Sequence, residues 1–213
     1  MSLADLPAGP VGPWRATSRL VRLYLTSRQI PSALAALAGC GLLLALTLHQ
    51  HWIEGADPVA QRLPLLAEAA AAAIIAVAAH NPFGESERIT GPRLLPLWFG
   101  SALALSAAAF GALAAGSTAG QLPGGATELL RNLAGLIGIG LAGTAVFGGA
   151  LSWVGLPAYL APAEFALGAG WQSPLTWPAR PPHDLGAGLC SGLVYAAGLA
   201  LLTVRGARDQ QRD

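Results

Sequence analysis

The sequence predicts an all-α integral membrane protein, with six transmembrane helices preceded by an interfacial amphipathic helix and with both termini cytoplasmic. Only 11% of the 213 residues are charged and 54% are hydrophobic, whereas about 25% of residues in a soluble domain are charged. Three windows contain no Asp, Glu, Lys, Arg or His, namely Leu94–Thr127, Asn132–Ala163 and Leu185–Val204. A water-soluble fold needs a polar surface, so windows of this length indicate a bilayer.

The basic residues exclude several function classes. All twelve are arginines, and a chain without lysine forms neither a P-loop, whose lysine binds the phosphates, nor a Schiff base. The net charge of +1 and the lack of a basic run argue against nucleic-acid binding. We therefore expect no cofactor on this chain, and we expect any ATP to bind a partner chain. The Ala-, Gly-, Pro- and Arg-rich composition is typical of a GC-rich bacterial genome.

Six segments approach the length of about 20 mostly apolar residues that crosses a bilayer. They are Ile30–Leu48, Leu63–Ala79, Leu94–Gly116, Leu129–Leu151, Val154–Gly170 and Leu185–Val204. The second segment is short and contains Glu68. The fifth contains Pro157 and Pro162, which predict a kinked, broken or partly re-entrant segment.

The distribution of arginines supports six crossings. With the N-terminus inside, six crossings place nine arginines on the inner side and three, Arg62, Arg131 and Arg180, on the outer side. Five crossings would divide the arginines six against six. Inner loops of membrane proteins are enriched in basic residues, so six crossings are favoured. The chain then divides into an N-terminal tail with the interfacial helix (1–29), a transmembrane domain (30–204) and a cytoplasmic tail (205–213).

An amphipathic segment, Trp14–Ile30, precedes the first span. On a helical wheel, Arg15, Arg19 and Arg22 cluster on one narrow face, and apolar side chains occupy the opposite face. This pattern is typical of a helix that lies in the membrane interface, with its arginines toward lipid phosphates. The alternative is an ordinary basic segment leading into the first span.

Small residues recur four apart in three of the spans. The series are Gly100, Ala104, Ala108, Ala112 and Gly116 in the third span, Gly140, Thr144 and Gly148 in the fourth, and Gly188, Gly192 and Ala196 in the sixth. Small residues let helix backbones approach closely in lipid. We interpret the three series as packing faces, within the bundle or against a second subunit.

Two carboxylates, Glu68 and Glu164, lie within apolar sequence. Intramembrane charge is costly and marks a functional position by default, so both are candidates for a substrate or proton path. Two structural explanations compete with this one. Glu68 follows Arg62 by six residues, about 9 Å along a helix, which places it near the outer surface. Glu164 follows Pro162, where an unwound backbone would solvate it.

Two loops carry further signals. Between the second and third spans, Glu85, Glu87 and Arg88 lie in a polar stretch that Pro and Gly residues bracket. A short rigid element of this kind suits docking to a soluble partner, although a plain solvated turn explains it nearly as well. The loop Trp171–His183 combines two tryptophans with four prolines, a pattern that predicts an aromatic belt in a stiff outer loop. No residues form a recognisable catalytic set or metal site.

Together, an interfacial helix, six spans and a cytoplasmic element between spans two and three resemble the membrane subunits of ABC-2-type exporters. Stretches such as Asn81-Pro-Phe-Gly-Glu85 and Trp177-Pro178 are similar to those of small actinobacterial permeases of this type. The resemblance implies that Trp14–Ile30 is the elbow helix and that Glu85–Ile89 is the coupling helix that contacts the ATPase. It also implies that Pro157–Pro182 is the irregular outer region.

The resemblance further implies a transport subunit without an ATPase site of its own, in a bacterial cell membrane. Its partners would be a P-loop ATPase, a second permease subunit (a copy or a homologue) and membrane lipid. The chain departs from the family pattern because it is short and lacks a long amphipathic outer segment between the last two spans. Three other functions stay open: a proton-coupled carrier that uses Glu68 and Glu164, a non-catalytic anchoring or regulatory subunit, and an intramembrane enzyme.

Overall fold

The computed structural model describes residues 29–50, 62–80, 95–120, 122, 124–169, 173 and 175–205. These residues form α-helices and short 3₁₀ helices, with no strand among them. The α-helices are α1 (Ile30–His49), α2 (Leu63–Ala78), α3 (Leu95–Ser117), α4 (Gly125–Phe147), α5 (Gly155–Ala169) and α6 (Leu185–Arg205). The predicted interfacial-helix arginines Arg15, Arg19 and Arg22 lie outside the described residues, as do Glu85, Glu87 and Arg88 of the predicted coupling element.

Four of these helices, α1, α3, α4 and α6, are long and apolar enough to cross a membrane, and α2 is a shorter apolar helix. The protein is therefore a multi-pass membrane protein. Helix α4 lies at its centre, because 72% of its most apolar stretch is buried, against 28–33% for the other three. Those three helices instead expose large apolar side chains such as Leu42 and Leu193, as expected for surfaces that face lipid.

Helices α1 and α3 run in the same direction and cross closely. A Cβ atom at Gly41 would lie less than 3.0 Å from the Ala112 carbonyl, and one at Gly116 would lie equally close to the carbonyl oxygen of Gly41. Only residues without a larger side chain allow this approach. The packing role predicted for Ala112 and Gly116 is confirmed, whereas Gly100 of the same series faces open space.

Helices α2 and α4 also run in the same direction. A Cβ atom at Gly140 would lie 2.9 Å from the Cβ of Ala76. One helical turn further along α4, Thr144 Oγ1 donates a hydrogen bond of 2.8 Å to the Ala76 carbonyl. The packing role predicted for Gly140 and Thr144 is therefore confirmed. Gly148, the third member of that series, follows the end of α4 with a φ of 80°.

The contact between α4 and α6 is the most extensive in the bundle, and it uses glycines that the small-residue series do not contain. A Cβ atom at Gly138 would lie 2.5 Å from the Val194 carbonyl oxygen, and one at Gly198 would meet the backbone of Gly138. In contrast, Gly188 and Gly192 have no atom within 4 Å of such a Cβ. The prediction that their series packs within the bundle is wrong, while its packing against a second subunit stays a prediction.

The connection between α4 and α5 contains a short 3₁₀ helix. After Gly148 the chain forms a 3₁₀ helix, Gly149–Leu151, and α5 begins only at Gly155. This segment returns along α4: a Cβ atom at Gly143 would lie 2.6 Å from the Ser152 carbonyl oxygen. The Gly149 N–H donates a hydrogen bond of 3.1 Å to His80 Nδ1. Non-helical backbone is therefore buried against α2 and α4, the setting in which a membrane protein tolerates it.

The helix break predicted at Pro157 and Pro162 is not present, because α5 continues through both prolines as one helix. Pro157 falls in the first turn of α5, where a missing N–H leaves no helical hydrogen bond unmade. Pro162 lies inside α5, which continues to Ala169. Gly148 adopts a positive φ and ends α4 at Phe147 rather than at the expected Leu151. Including α5, which runs opposite to α4, consecutive helices alternate in direction through the whole bundle.

Candidate functional site

The three arginines that the sequence assigns to the outer side, Arg62, Arg131 and Arg180, lie at one end of the bundle. Arg62 precedes α2, and its Nε lies 2.9 Å from Glu164 Oε2 on α5. Arg131 lies in the second turn of α4, and its guanidinium contacts the backbone of Arg180, which precedes α6. We call this end, where α2, α4 and α6 begin, the arginine end.

A buried group of polar side chains lies at the arginine end. We call it the charged cluster, and it consists of Glu68 on α2 with Glu128, Arg131 and Asn132 on α4. Positions i, i+3 and i+4 share one face of a helix, so the three α4 residues all point in one direction. Glu68 is 3% exposed, Arg131 6% and Asn132 4%, while Glu128 is half-buried.

Arg131 connects the charged cluster to the segment before α6. Its Nη1 donates a hydrogen bond of 2.6 Å to the Pro181 carbonyl, and its Nη2 donates one of 3.1 Å to the Arg180 carbonyl. Its Nε contacts Asn132 Oδ1 at 3.4 Å. The planar guanidinium presents its donors as a fork, so one side chain holds two consecutive carbonyls. Arg131 therefore ties this segment to α4.

Glu68 is the member of the charged cluster that α2 contributes, and it lies on the side of α2 that faces α4. Its carboxyl group interacts with the side-chain amide of Asn132, which also interacts with Glu128. Within the described residues, Glu68 Oε2 is buried and has no hydrogen-bond partner, and no arginine lies within 4 Å as an ion-pair partner. A buried polar atom without a partner costs free energy, so the presence of Glu68 at this site needs an explanation.

The segment before α6 has its own ion pair. Arg180 and Asp184 form a salt bridge, and the Ala187 N–H donates a hydrogen bond of 2.8 Å to Asp184 Oδ1. Asp184 thus caps the first turn of α6, the position where an acidic side chain is most favourable. The hydrogen bond from Ala187 and the Arg180 guanidinium lower the pKa of Asp184, so this carboxylate stays ionised at neutral pH.

An aromatic pair covers the same segment. The ring of Trp177 is 2% exposed and lies against Gly135, where there is no room for a Cβ atom. It stacks on Tyr159 of α5 with ring centroids 4.5 Å apart, and the Tyr159 hydroxyl donates a hydrogen bond of 2.9 Å to the Leu175 carbonyl. Trp177 is therefore buried between helices and is not part of an exposed aromatic belt; Trp171 lies outside the described residues.

The two carboxylates singled out by the sequence have different surroundings. Glu68 belongs to the charged cluster, whereas Glu164 pairs with Arg62 and has a charged partner of its own. Glu128, Arg131 and Asn132 were not predicted as site residues, although their i, i+3, i+4 spacing at the start of an apolar helix was a usable signal. Within the described part of the chain, no three His, Cys, Asp or Glu side chains lie together as metal ligands would.

The opposite end of the bundle holds an apolar groove between α1 and α2. Its volume is about 540 Å³, and it is lined by Ala33, Ala36, Ile74, Val77 and Trp153, with Gln29 and Ser32 at its polar rim. The side chains that line it carry no charge. This groove offers a surface for apolar groups and no arrangement for acid–base chemistry.

The chain matches no protein-family model, no curated protein and no solved structure in comparisons with all three. Function must therefore be argued from the bundle and its charged cluster.

Proposed function

We propose that this chain is the membrane-spanning permease subunit of an ABC-2-type exporter. In this proposal a separate P-loop ATPase binds and hydrolyses ATP, and a second permease subunit, a copy or a homologue, completes the translocation pathway. The chain itself supplies the pathway and no covalent chemistry. The assignment to the ABC-2 type rests on the resemblance in the order of elements, while the role in transport rests on a structural observation.

That observation is the packed, non-helical connection between α4 and α5. Non-helical backbone that lines a pathway or moves as a gate is a recurring feature of transporters. Here the connection that begins at Gly148 packs against α2 and α4, and Ser152 within it is fully buried. A buried connection of this kind supports a role in transport.

The proposed topology has six crossings, with the arginine end outside and both termini in the cytoplasm of a bacterial cell. The alternating direction of the helices supports six crossings, because each helix then returns the chain to the opposite face. The arginine count supports the orientation, since it leaves nine arginines inside and three outside. The fifth crossing would be completed by the 3₁₀ segment together with α5.

Coupling to the ATPase would pass through the loop between α2 and α3. In the proposed mechanism, Glu85, Glu87 and Arg88 contact the ATPase, whose closure on ATP favours one of two permease conformations. A partner shifts such an equilibrium only through a difference in affinity for the two states. The coupling element therefore has to make contacts that differ between the inward-open and outward-open forms.

The experiment that tests this function is purification of the tagged chain from its native membrane in mild detergent, followed by identification of stoichiometric partners. We expect a P-loop ATPase, and the ratio of chains will show whether the second permease is this chain or a homologue. Consistent purification without any ATPase, from several detergents and from crosslinked membranes, would contradict the proposal.

Replacing Glu87 or Arg88 by glutamine is expected to uncouple ATP hydrolysis from transport. The loss of one charged contact at the ATPase interface leaves ATP turnover in place but weakens its effect on the permease. The measurement compares ATPase activity and transport of the reconstituted complex, with Glu54→Gln in the loop between α1 and α2 as the matched control. Wild-type transport per ATP in both coupling variants would argue against the docking role.

A second candidate function, proton-coupled secondary transport, is favoured by the burial of Glu68 without a full set of hydrogen-bond donors. Buried membrane carboxylates serve as proton carriers in many transporters. In that case Glu68→Gln abolishes both transport and its dependence on the proton gradient in vesicles, whereas Glu164→Gln tests the role of the Arg62 pair. Full transport by Glu68→Gln would remove this candidate.

A further inference from the structure

The apolar groove between α1 and α2 has a polar rim at one end and apolar walls along its length. Gln29 and Ser32 lie at the rim, where α1 begins, and Ala36, Ile74 and Val77 line the walls. From Gln29 to Ala36 the groove follows α1 for about 10 Å, which is most of the depth of one hydrocarbon leaflet. A molecule that fits this groove is apolar along its length and polar at one end.

The groove opens toward the bilayer at the level of the membrane interface. Ala36 and Val77 are exposed at its mouth, and so is half of the Trp153 side chain. The Trp153 indole N–H donates a hydrogen bond of 2.9 Å to the Ala150 carbonyl, so the indole needs no polar partner from an occupant. Tryptophan is enriched where a membrane meets water. An apolar groove that is open at this level fills with molecules of the bilayer.

We propose that this groove binds one acyl chain of an anionic phospholipid, whose phosphate headgroup lies at the rim beside Gln29. The inference goes beyond the proposed function, since lipid binding at this groove requires neither an ATPase nor a cargo. Only the choice of leaflet depends on the proposed topology.

The charge of the sequence around the rim favours an anionic headgroup. Arg28 directly precedes Gln29, and consecutive Cα atoms are about 3.8 Å apart, so a positively charged residue adjoins the rim. Residues 6–53 contain four arginines and no acidic residue. With the arginine end outside, the groove opens to the cytoplasmic leaflet, whose negative surface attracts basic segments.

The walls suit a lipid tail better than a peptide segment. Below the rim, the side chains that line the groove offer no free hydrogen-bonding group, and at the rim Ser32 Oγ already donates to the Gln29 carbonyl at 2.7 Å. An acyl chain needs no such partner. A non-helical peptide at this depth would leave its backbone N–H and C=O groups unpaired.

Bound lipid is expected to stabilise the bundle. Because α1, α2 and Trp153 all line the groove, the complete site exists only in the folded protein, and a ligand that binds only the folded state stabilises it. At a lipid concentration about 100 times its Kd, we expect the midpoint of thermal unfolding to rise by about 5–10 °C.

Native mass spectrometry of the delipidated full chain tests the inference, with phosphatidylglycerol as the anionic probe and phosphatidylcholine as the zwitterionic probe. The wild type is expected to bind one phosphatidylglycerol, at least about fivefold more tightly than phosphatidylcholine, the effect of one arginine beside an anionic lipid. Ala36→Phe fills the groove from α1, and Val77→Phe fills it from α2. Each is expected to weaken binding about tenfold or more and to remove the thermal stabilisation.

Ala38→Phe is the matched control, because Ala38 is exposed on the same helix and lies outside the groove. It is expected to bind lipid as the wild type does, whereas Arg28→Gln is expected to lose the preference for phosphatidylglycerol. The absence of a discrete bound lipid from the wild type would overturn the inference, as would equal binding by Ala36→Phe and Ala38→Phe. Equal binding of the two lipids by the wild type would contradict the anionic headgroup. If Ala36→Phe instead turned an oligomer into monomers and left lipid binding intact, the groove would belong to a second copy of the chain.

Discussion

Replacing Gly198 by leucine is expected to prevent formation of the native bundle. At this position α6 crosses α4 with backbone against backbone, and a Cβ atom would meet the carbonyl group of Gly138. No rotamer change relieves a clash with backbone, so the two helices must separate along their most extensive contact. We expect a loss of about 3 kcal/mol or more, at the upper end of what overpacking costs, and little monodisperse protein after detergent extraction.

Gly192 provides the matched control on the same helix. A Cβ atom there has nothing within 4 Å, so Gly192→Leu introduces the same side chain in the same apolar helix without a clash. Thermal unfolding in detergent, followed by size-exclusion chromatography, compares the two variants. Equal stability and yield would mean that the close crossing of α4 and α6 is not essential to the fold.

The contrast between these two glycines shows what the sequence could predict of the packing. Series of small residues identify which positions share a helix face, and the predictions for Gly116 and Gly140 were confirmed. They do not identify which face meets a neighbour, because lipid is as apolar as a helix interface and apolar periodicity carries little information about burial. In α6 glycines occur on several faces, and the face that packs, with Gly198, lies outside the predicted series.

The prolines of the fifth segment predicted a break that the structure does not have, and the glycine that does end a helix, Gly148, drew no such prediction. Proline is costly only inside a helix, and Pro157 falls in a first turn, where it is tolerated. Gly148 and Gly149 form a pair that suits a positive φ, and Gly148 adopts a φ of 80° there. In a chain with 27 glycines, however, such a pair has little predictive value without the contacts that select it.

The charged cluster was predicted only in part, for a different reason. Glu68 stood out because it is an acidic residue within an apolar segment. Arg131 entered the prediction only as one of the outer arginines, and Glu128 drew no prediction, since charges at helix ends are ordinary. These residues are neighbours of Glu68 only because of how far α2 is shifted along α4. Tertiary contacts such as that from Thr144 to Ala76 fix this shift, and the sequence does not reveal them.

Replacing Arg131 by glutamine is expected to destabilise the protein by about 1–3 kcal/mol, the typical cost of leaving buried hydrogen-bonding groups without a partner. Two carbonyls, those of Arg180 and Pro181, lose their donors, and Glu68 and Glu128 lose the positive charge of Arg131. The measurement is equilibrium unfolding in mixed micelles. Arg62→Gln is the control, because this arginine also pairs with a glutamate but its side chain is 49% exposed; exposed pairs contribute about 1 kcal/mol or less.

The double variant Arg131→Gln, Glu68→Gln separates the two causes of that loss. If uncompensated negative charge dominates, removing the Glu68 carboxyl restores part of the stability, and the two substitutions are strongly non-additive. If the lost carbonyl contacts dominate, the double variant is no more stable than Arg131→Gln alone. Since Arg131 belongs to the charged cluster and also holds the segment before α6, we expect partial recovery. A stability of Arg131→Gln equal to that of Arg62→Gln would contradict a central role for Arg131.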